Sequence, residues 1–366
     1  MSAIIPITGI AADFRVPGTY AEILFAQGPS TASAPAREVV FVMPKLSTGS
    51  WTVATLYPVN NEQDVITGAA SGSPLHRGIR KFLQANKTSK VWALPVAETS
   101  GGSPVAATAT VTLTNNATAT GALTVRVCDE DCTCVFATGA TPTQIGDLIV
   151  AVINGKTWLP CTAVNVTGTI TLTAKLKGVS QGTATIGVIR LRTSITAGVG
   201  TTVAQSGLFL GTGAAGVEGS TTEAANLATA LASLVSTRKY YIVSSANDAT
   251  SLTNIQSHVA TKSEPKQGLR SVAITAWTGS LAAGQTLATS RNYERLQIAW
   301  QRNSDHDCAE IAGNVAAIRQ KYESLDSAFN FASYSDSDWL INPAYLNADW
   351  PTPDEQNDAI TDGLMP

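Results

Sequence analysis

Three constellations in the chain hold residue types able to do chemistry. Cys128, Cys132 and Cys134 crowd around Asp129, Glu130 and Asp131, with Cys161 further on and Cys308 apart. Zinc sites usually show paired C-x2-C spacings, and C-x3-C-x-C is not that pattern. The neighbouring carboxylates raise thiol pKa values and oppose nucleophilic use. Two readings stay open: free thiols in a reducing cytoplasm, or disulfides among Cys128, Cys132, Cys134 and Cys161 in an oxidising exterior, links between subunits included. Strand alternation places Cys128 on the face away from the core. The second constellation is Asp305, His306, Asp307 and Glu310, an acid–imidazole group. It sits at a predicted helix N-terminus, where acids favour the macrodipole, and reads as capping rather than catalysis. The third, Gly211 to Gly216, spells G-x-G-x-x-G. No clean strand leads into it, the next helix starts only near Thr221, and Ser236 to Lys239 supply no acid where a dinucleotide site needs one, so it reads as a Gly/Ala connector. His76 and His258 lie in separate helical contexts without an evident partner, and neither a nucleophile elbow nor a P-loop occurs. No catalytic, cofactor-binding or metal-binding residue is assigned, and no cofactor is expected.

The elements around these residues belong to a large, weakly charged chain. At 366 residues it suggests two or three domains burying roughly three quarters of the unfolded surface. Only 14% of residues are charged, which is low for a free enzyme of this size and suits a subunit that hides surface against copies of itself. A β-rich domain with threonine-lined strands accounts for the same composition. A net charge of −3 and the absence of any Lys/Arg run beyond two residues argue against nucleic-acid binding. The opening MSAIIPITGIAAD lacks a basic stretch and is broken by Pro6 and Gly9, and no apolar run approaches the ~20 residues that span a bilayer, so neither secretion nor membrane insertion is expected.

Residues 1–35 read as an extended arm and linker. Tyr20, Ile23, Leu24 and Phe25 form a short β-prone run bounded by a Gly/Pro/Ser/Ala linker from Gly28 to Pro35. Such a run exposes unpaired backbone groups unless a neighbouring sheet takes it up. Val39 to Val42 is a buried-type strand, followed by a loop, a helix and the strand around Val91. From Val105 the pattern becomes strict alternation: Val105, Ala107, Ala109, Val111 and Leu113 are apolar with threonines between them, and Leu123, Val125 and Val127 resume it. Thr141-Pro142 opens a helix lined by Ile145, Leu148, Ile149 and Val152, which Asn154-Gly155 closes. Ile170 to Leu176 and Ile186 to Leu191 are further strands. Strand–helix alternation returns after Gly211: Ser220 with Glu223 suggests a capping box, Leu227 to Val235 an apolar stripe, Tyr240 to Val243 a strand, Ala249 to Thr261 a helix. Ser271 to Ala276 and Leu296 to Trp300 read as strands, and Cys308 to Tyr322 as a helix capped near Ser304 or Asp305. The fold class is therefore layered α/β (α+β), residues 36–104 and 206–366 forming one discontinuous domain, and 105–205 an inserted β-sandwich-like domain that carries one helix.

In order, these segments resemble the Mu-like contractile phage tail sheath proteins. The arm matches at Val16, Pro17, Gly18, Tyr20 and Glu22, the small-residue loop at Gly68, Gly72 and Ser73, and the following strand at Val91, Trp92 and Ala93. The most specific match is the PTQIGDLIVAVIN helix with Leu159, Pro160, Thr162 and Ala163 after it and a lysine-ended strand. Later matches are Arg291-Asn292 and Trp350 to Glu355. The family pattern continues into another domain beyond the element matched by Ala359 to Leu364, whereas this sequence stops at Pro366.

The resemblance implies a non-enzymatic structural subunit of a virion tail, assembled in the host cytoplasm. It implies stacking in six-fold rings around a tube and contraction that drives the tube into the host cell. Arg15, Val16, Pro17, Gly18, Tyr20 and Glu22 would then be the strand-donating arm. The partners implied are copies of the chain itself, the tail tube protein, and baseplate and tail terminator proteins. Two other classes fit parts of the sequence: a β-rich surface adhesin or binding module, and a nucleotide-dependent α/β enzyme.

Overall fold

The computed structural model describes residues 37–178, 191–195, 203–205, 216–234, 238–322, 340 and 350–366. The arm residues Arg15 to Glu22, the strand expected over 186–190 and the glycines at 211 and 213 lie outside them.

In chain order the first elements are β1 (Val39–Pro44), β2 (Tyr57–Val59), α1 (Glu62–Ala69), α2 (Pro74–Ala85) and β3 (Val91–Val96). All six residues of β1 are buried, as expected for a central strand with helices on both faces. Then come β4 (Ala106–Leu113), β5 (Gly121–Val127), β6 (Glu130–Phe136), α3 (Pro142–Gly155), β7 (Cys161–Val166), β8 (Thr169–Lys177), β9 (Leu191–Ile195) and β10 (Val203–Gln205). The chain returns with α4 (Glu223–Ala232), β11 (Tyr241–Val243), α5 (Ala249–Ser263), β12 (Val272–Trp277) and α6 (Leu281–Arg291). It ends in β13 (Leu296–Trp300), α7 (Cys308–Tyr322), α8 (Pro353–Thr361) and β14 (Leu364–Met365).

The first and last groups build one seven-stranded sheet in the order β14-β13-β12-β11-β1-β3-β2. Its strands are parallel except β2, which pairs antiparallel with β3. One face carries an apolar cluster of Phe41, Met43, Leu75, Ile79, Phe82, Ile311 and Val315, which seats α2 and α7. The other carries Val40, Val42, Leu94, Leu227, Leu231, Leu252, Ile255 and Trp277, which seats α4 and α5. Layers of helix, sheet and helix follow from strands that are apolar on both sides.

The middle group shares no strand with that sheet. It forms a four-stranded sheet, β10-β4-β8-β7, and a three-stranded sheet, β6-β5-β9, whose pairings are all antiparallel. Alternating residues of both sheets meet α3 in one cluster containing Val111, Leu123, Val125, Ile145, Ile149, Ile170 and Leu172. The helix is held at its start by a capping box, Thr141 Oγ1 accepting from the Gln144 N–H while the Gln144 side chain accepts from the Thr141 N–H. At its other end Asn154 acts on β7, an edge strand. Its Nδ2 donates to the Ala163 carbonyl at 2.8 Å and its Oδ1 accepts from the Ala163 N–H at 2.9 Å. One side-chain amide thus occupies the backbone pair that an incoming strand would use. We call this middle group the module.

The two connections between module and sheet run side by side as a neck. Ser100 and Thr221 exchange two backbone hydrogen bonds, at 3.1 and 2.8 Å, and Val105 and Val217 do the same at 3.0 and 2.9 Å. A Cβ on Gly216 would lie 2.0 Å from the Gly178 carbonyl oxygen, so the last glycine of the G-x-G-x-x-G string is required by close approach of backbone.

Several expectations need correcting. The cap of α4 is Thr222, whose hydroxyl accepts from the Ala225 N–H, while Ser220 is bonded into the neck. Asp307 caps α7, its Oδ1 accepting from the Glu310 N–H at 2.8 Å. The Cys132–Cys134 segment lies in strand β6, and its C-x-C spacing is the two-residue period of inward-facing positions. Cys128 is buried in the module's core, because a turn with φ of 55° at this residue ends the alternation of β5. Helices α6 and α8 were not anticipated.

Candidate functional site

The densest polar site forms where α2, the start of α7 and the β5–β6 turn meet. Gly78 on α2 and Gly313 on α7 bring the two helices together; a Cβ on Gly313 would lie 2.3 Å from the Gly78 carbonyl oxygen. At that spacing Arg77 reaches both acids of the α7 start. Its Nη1 donates to Asp307 Oδ2 at 2.5 Å and its Nη2 lies 3.0 Å from Glu310 Oε2, all three side chains being almost fully buried. Burial alone would lower the Arg77 pKa, but Asp307 and Glu310 reverse this and leave it above the usual arginine value. Burial would likewise raise Glu310, but Arg77 and the His306 ring hold it well below the usual carboxylate range. His306 Nδ1 lies 3.1 Å from Glu310 Oε2 and 3.6 Å from Asp129 Oδ2. With a carboxylate on that side, the ring nitrogen is the donor.

The module's side of the site consists of Arg126 and the β5–β6 turn. Lys81 of α2 donates to Asp129 at 2.9 Å, and Arg126 Nε donates to Asp305 Oδ2 at 3.1 Å while its Nη1 holds Asp131. Next to these, the Arg80 guanidinium stands 4.9 Å over the Trp158 ring and Lys175 donates to the Ser71 carbonyl at 3.3 Å. The acid–imidazole group read as helix capping does supply the cap, through Asp307. Its other members join a buried ion cluster whose partners Arg77, Lys81, Arg126 and Asp129 come from far away in sequence.

Asp129, His306 and Glu310 bring three ligand-type atoms within 4.8 Å of one another. Their chemistry would suit a divalent cation. The same carboxylates already receive Lys81 and Arg77, so the cations of this site are the protein's own side chains.

This cluster lies beyond the carboxyl end of the parallel strands, where open α/β sheets usually keep their ligand crevice. Here the module's turn and the α7 loop fill it. An open groove of about 830 Å³ lies elsewhere, between the end of α6 and β14, lined by Arg291, Tyr293, Glu294 and Asp362 among others.

The four module cysteines are buried free thiols. Burial raises Cys132 to about 11 and Cys161 further, which disfavours the reactive thiolate. His76 does have partners: its Nε2 lies 3.2 Å from Glu62 and its Nδ1 accepts from the Gly72 N–H, while burial lowers its pKa to about 4. No helix among the described residues is long and apolar enough to cross a membrane.

No protein-family profile matches the chain. Over 174 residues it is 27% identical to the Mu-like prophage FluMu tail sheath protein of Haemophilus influenzae, a match covering 48% of this chain and 35% of that protein. The chain is related to the Mu-like tail sheath proteins. The match spans about a third of its curated relative's length. Among solved structures, a sheath tail protein from Listeria innocua aligns with a TM-score of 0.40 and 15% identity, covering 91% of this chain and 65% of that one. One from Desulfitobacterium hafniense aligns at 0.39 and 13%, covering 95% and 71%.

Proposed function

We propose that the chain is a structural subunit of a contractile phage tail sheath and that it acts by packing against copies of itself rather than by catalysis. The observation that carries this reading is the sequence relationship to the Haemophilus tail sheath protein. In this reading residues 105–205 are an inserted β-sandwich-like domain, 36–104 with 206–366 the sheath domain, and 1–35 an arm. Arg15, Val16, Pro17, Gly18, Tyr20 and Glu22 donate a strand to a neighbour. Subunits stack as six-fold rings around the tube and contract between two packings, which needs a heterologous interface that propagates. The partners are the tube, baseplate and tail terminator proteins, and assembly precedes release from the host cytoplasm. The cysteines Cys128, Cys132, Cys134 and Cys161 stay candidates for oxidation after release, at the cost of opening the module's core. The test is electron microscopy of particles carrying the chain, decorated with an antibody to it. Decoration along a tail shaft of two diameters is expected; decoration of any other part, or none, overturns the reading. Deleting residues 1–25 is expected to abolish tubes while leaving the circular dichroism spectrum intact.

A further inference from the structure

We infer that the module is an ionically latched, hinged unit: the neck is the pivot, and the Arg126–Asp305 and Lys81–Asp129 pairs are the latch that seats it on the sheet domain. The inference rests on the division into module and sheet domain, not on the sheath assembly. Its first support is the separation of the cores. The module's apolar cluster contains no residue of the seven-stranded sheet or its helices, and the two clusters flanking that sheet contain none from the module. Among the described residues, no helix or strand of the module packs lengthwise on one of the sheet domain. Seams of this kind inside a chain permit relative motion unless they are large and hydrophobic.

The second support is what the seam contains. Arg126–Asp305, Lys81–Asp129, the long Arg80–Glu130 contact at 3.9 Å, the Arg80–Trp158 stack and the Lys175–Ser71 hydrogen bond cross it. On release, every one of these polar groups can be hydrated. The two pairs close well because each has one member fixed in place. Asp305 adjoins the buried start of α7, and Lys81 lies one turn along α2 from the fully paired Arg77.

The third support is the pivot. The connections meet the sheet domain at Ser100 and Thr221, with Ser220 N–H donating to the Gly101 carbonyl and Gly219 N–H to Thr99 Oγ1, and Gly101 and Gly102 have φ of 73° and 63°. Rotation about these glycines breaks the Ser220–Gly101 hydrogen bond but leaves both of the module's sheets paired.

The experiment uses the full chain with Thr143→Cys on α3 and Lys266→Cys beyond α5, both exposed and spin-labelled, since the five native thiols are buried. Pulsed electron resonance reads the distance between the labels. The unmodified latch is expected to give one narrow distance. Asp305→Asn, which alters only the sheet domain's side, and Arg126→Ala, which alters only the module's side, are each expected to replace it with a broad distribution. Amide exchange on β8 should be unchanged in both, showing that the module stays folded. A narrow distance in both variants overturns the latch, as does broadening in only one of them. A broad distance before any substitution means that no latched state exists. Loss of β8 protection in the variants would mean that these pairs hold the module's fold rather than its seat, and equally overturns the proposal.

Discussion

Helix α2 faces two partners through two chemistries. Toward α7 it presents Leu75, Ile79 and Phe82 and a glycine crossing tight enough to leave no room for a Cβ, and the one charge there, Arg77, is buried with its acids. Toward the module it presents Arg80 and Lys81, which pair with Glu130 and Asp129. The first contact resists separation because parting it would expose apolar surface and strip a buried cation of its carboxylates. The second can part more readily because its groups are polar and can be hydrated once separated. A single helix can therefore belong rigidly to one body while gripping another only electrostatically.

The largest expected effect tests that contrast directly. Arg77→Ala leaves Asp307 and Glu310 buried without their cation and should lower stability to urea by about 3–5 kcal/mol. Arg126→Ala, which takes one partner from the buried Asp305 and one from the exposed Asp131, should cost less, about 1–3 kcal/mol. Equal losses would erase the distinction between the two contacts. Next is Gly313→Ala, which forces a methyl against the Gly78 carbonyl and should cost about 1–3 kcal/mol, read as a lowered melting temperature. An unchanged melting temperature would mean that the crossing is looser than 2.3 Å implies.

Removing the Asn154 amide should cost about 1–2 kcal/mol for its two bonds to Ala163. Asn154→Ala should also raise self-association above the parent chain's in sedimentation, since β7 then offers a free edge. Association equal to the parent's would show that the edge is protected by something else. A pH-dependent effect concerns Glu223, which is pushed up to about 8 by burial and by Glu218 and Asp248. The folded chain keeps a proton there that the unfolded chain releases near 4.5, so the stability it contributes is complete below that pH and is lost as pH rises through about 8. Glu223→Gln should match the parent protein's melting temperature near about pH 5 and exceed it near about pH 9. Identical curves at both would place Glu223 outside any shared acidic environment.

The parts of the fold legible in the sequence are those whose signal is local. The threonine alternation after Val105 fixes β4 and β8, and Thr141-Pro142 with Asn154-Gly155 brackets α3 almost to the residue. Helix α6 was hidden because LAAGQTLATSR has no wide apolar stripe; it buries little more than Gly284 and Ala288. The Thr352–Glu355 capping box of α8 is a local signal of the same kind as that of α3. The site was harder to find. Asp305 to Glu310 could be recognised as a helix start, yet nothing nearby announces Arg77, 230 residues away, or Arg126, 179 residues away from Asp305. Charges that meet only through tertiary structure leave no spacing to read, and Cys128 was misplaced because one turn residue breaks a period that otherwise holds.

The neck has a consequence for how such a chain can be rebuilt. Because Ser100 and Thr221 are already hydrogen-bonded neighbours, everything between them hangs from a single doorway in the sheet domain. A short loop could close that doorway, and any foreign domain whose own ends lie side by side could be spliced into it, without asking the seven-stranded sheet to move. The chain is thus arranged as a chassis with an exchangeable cassette, open to gain, loss or replacement of the module by a single genetic event.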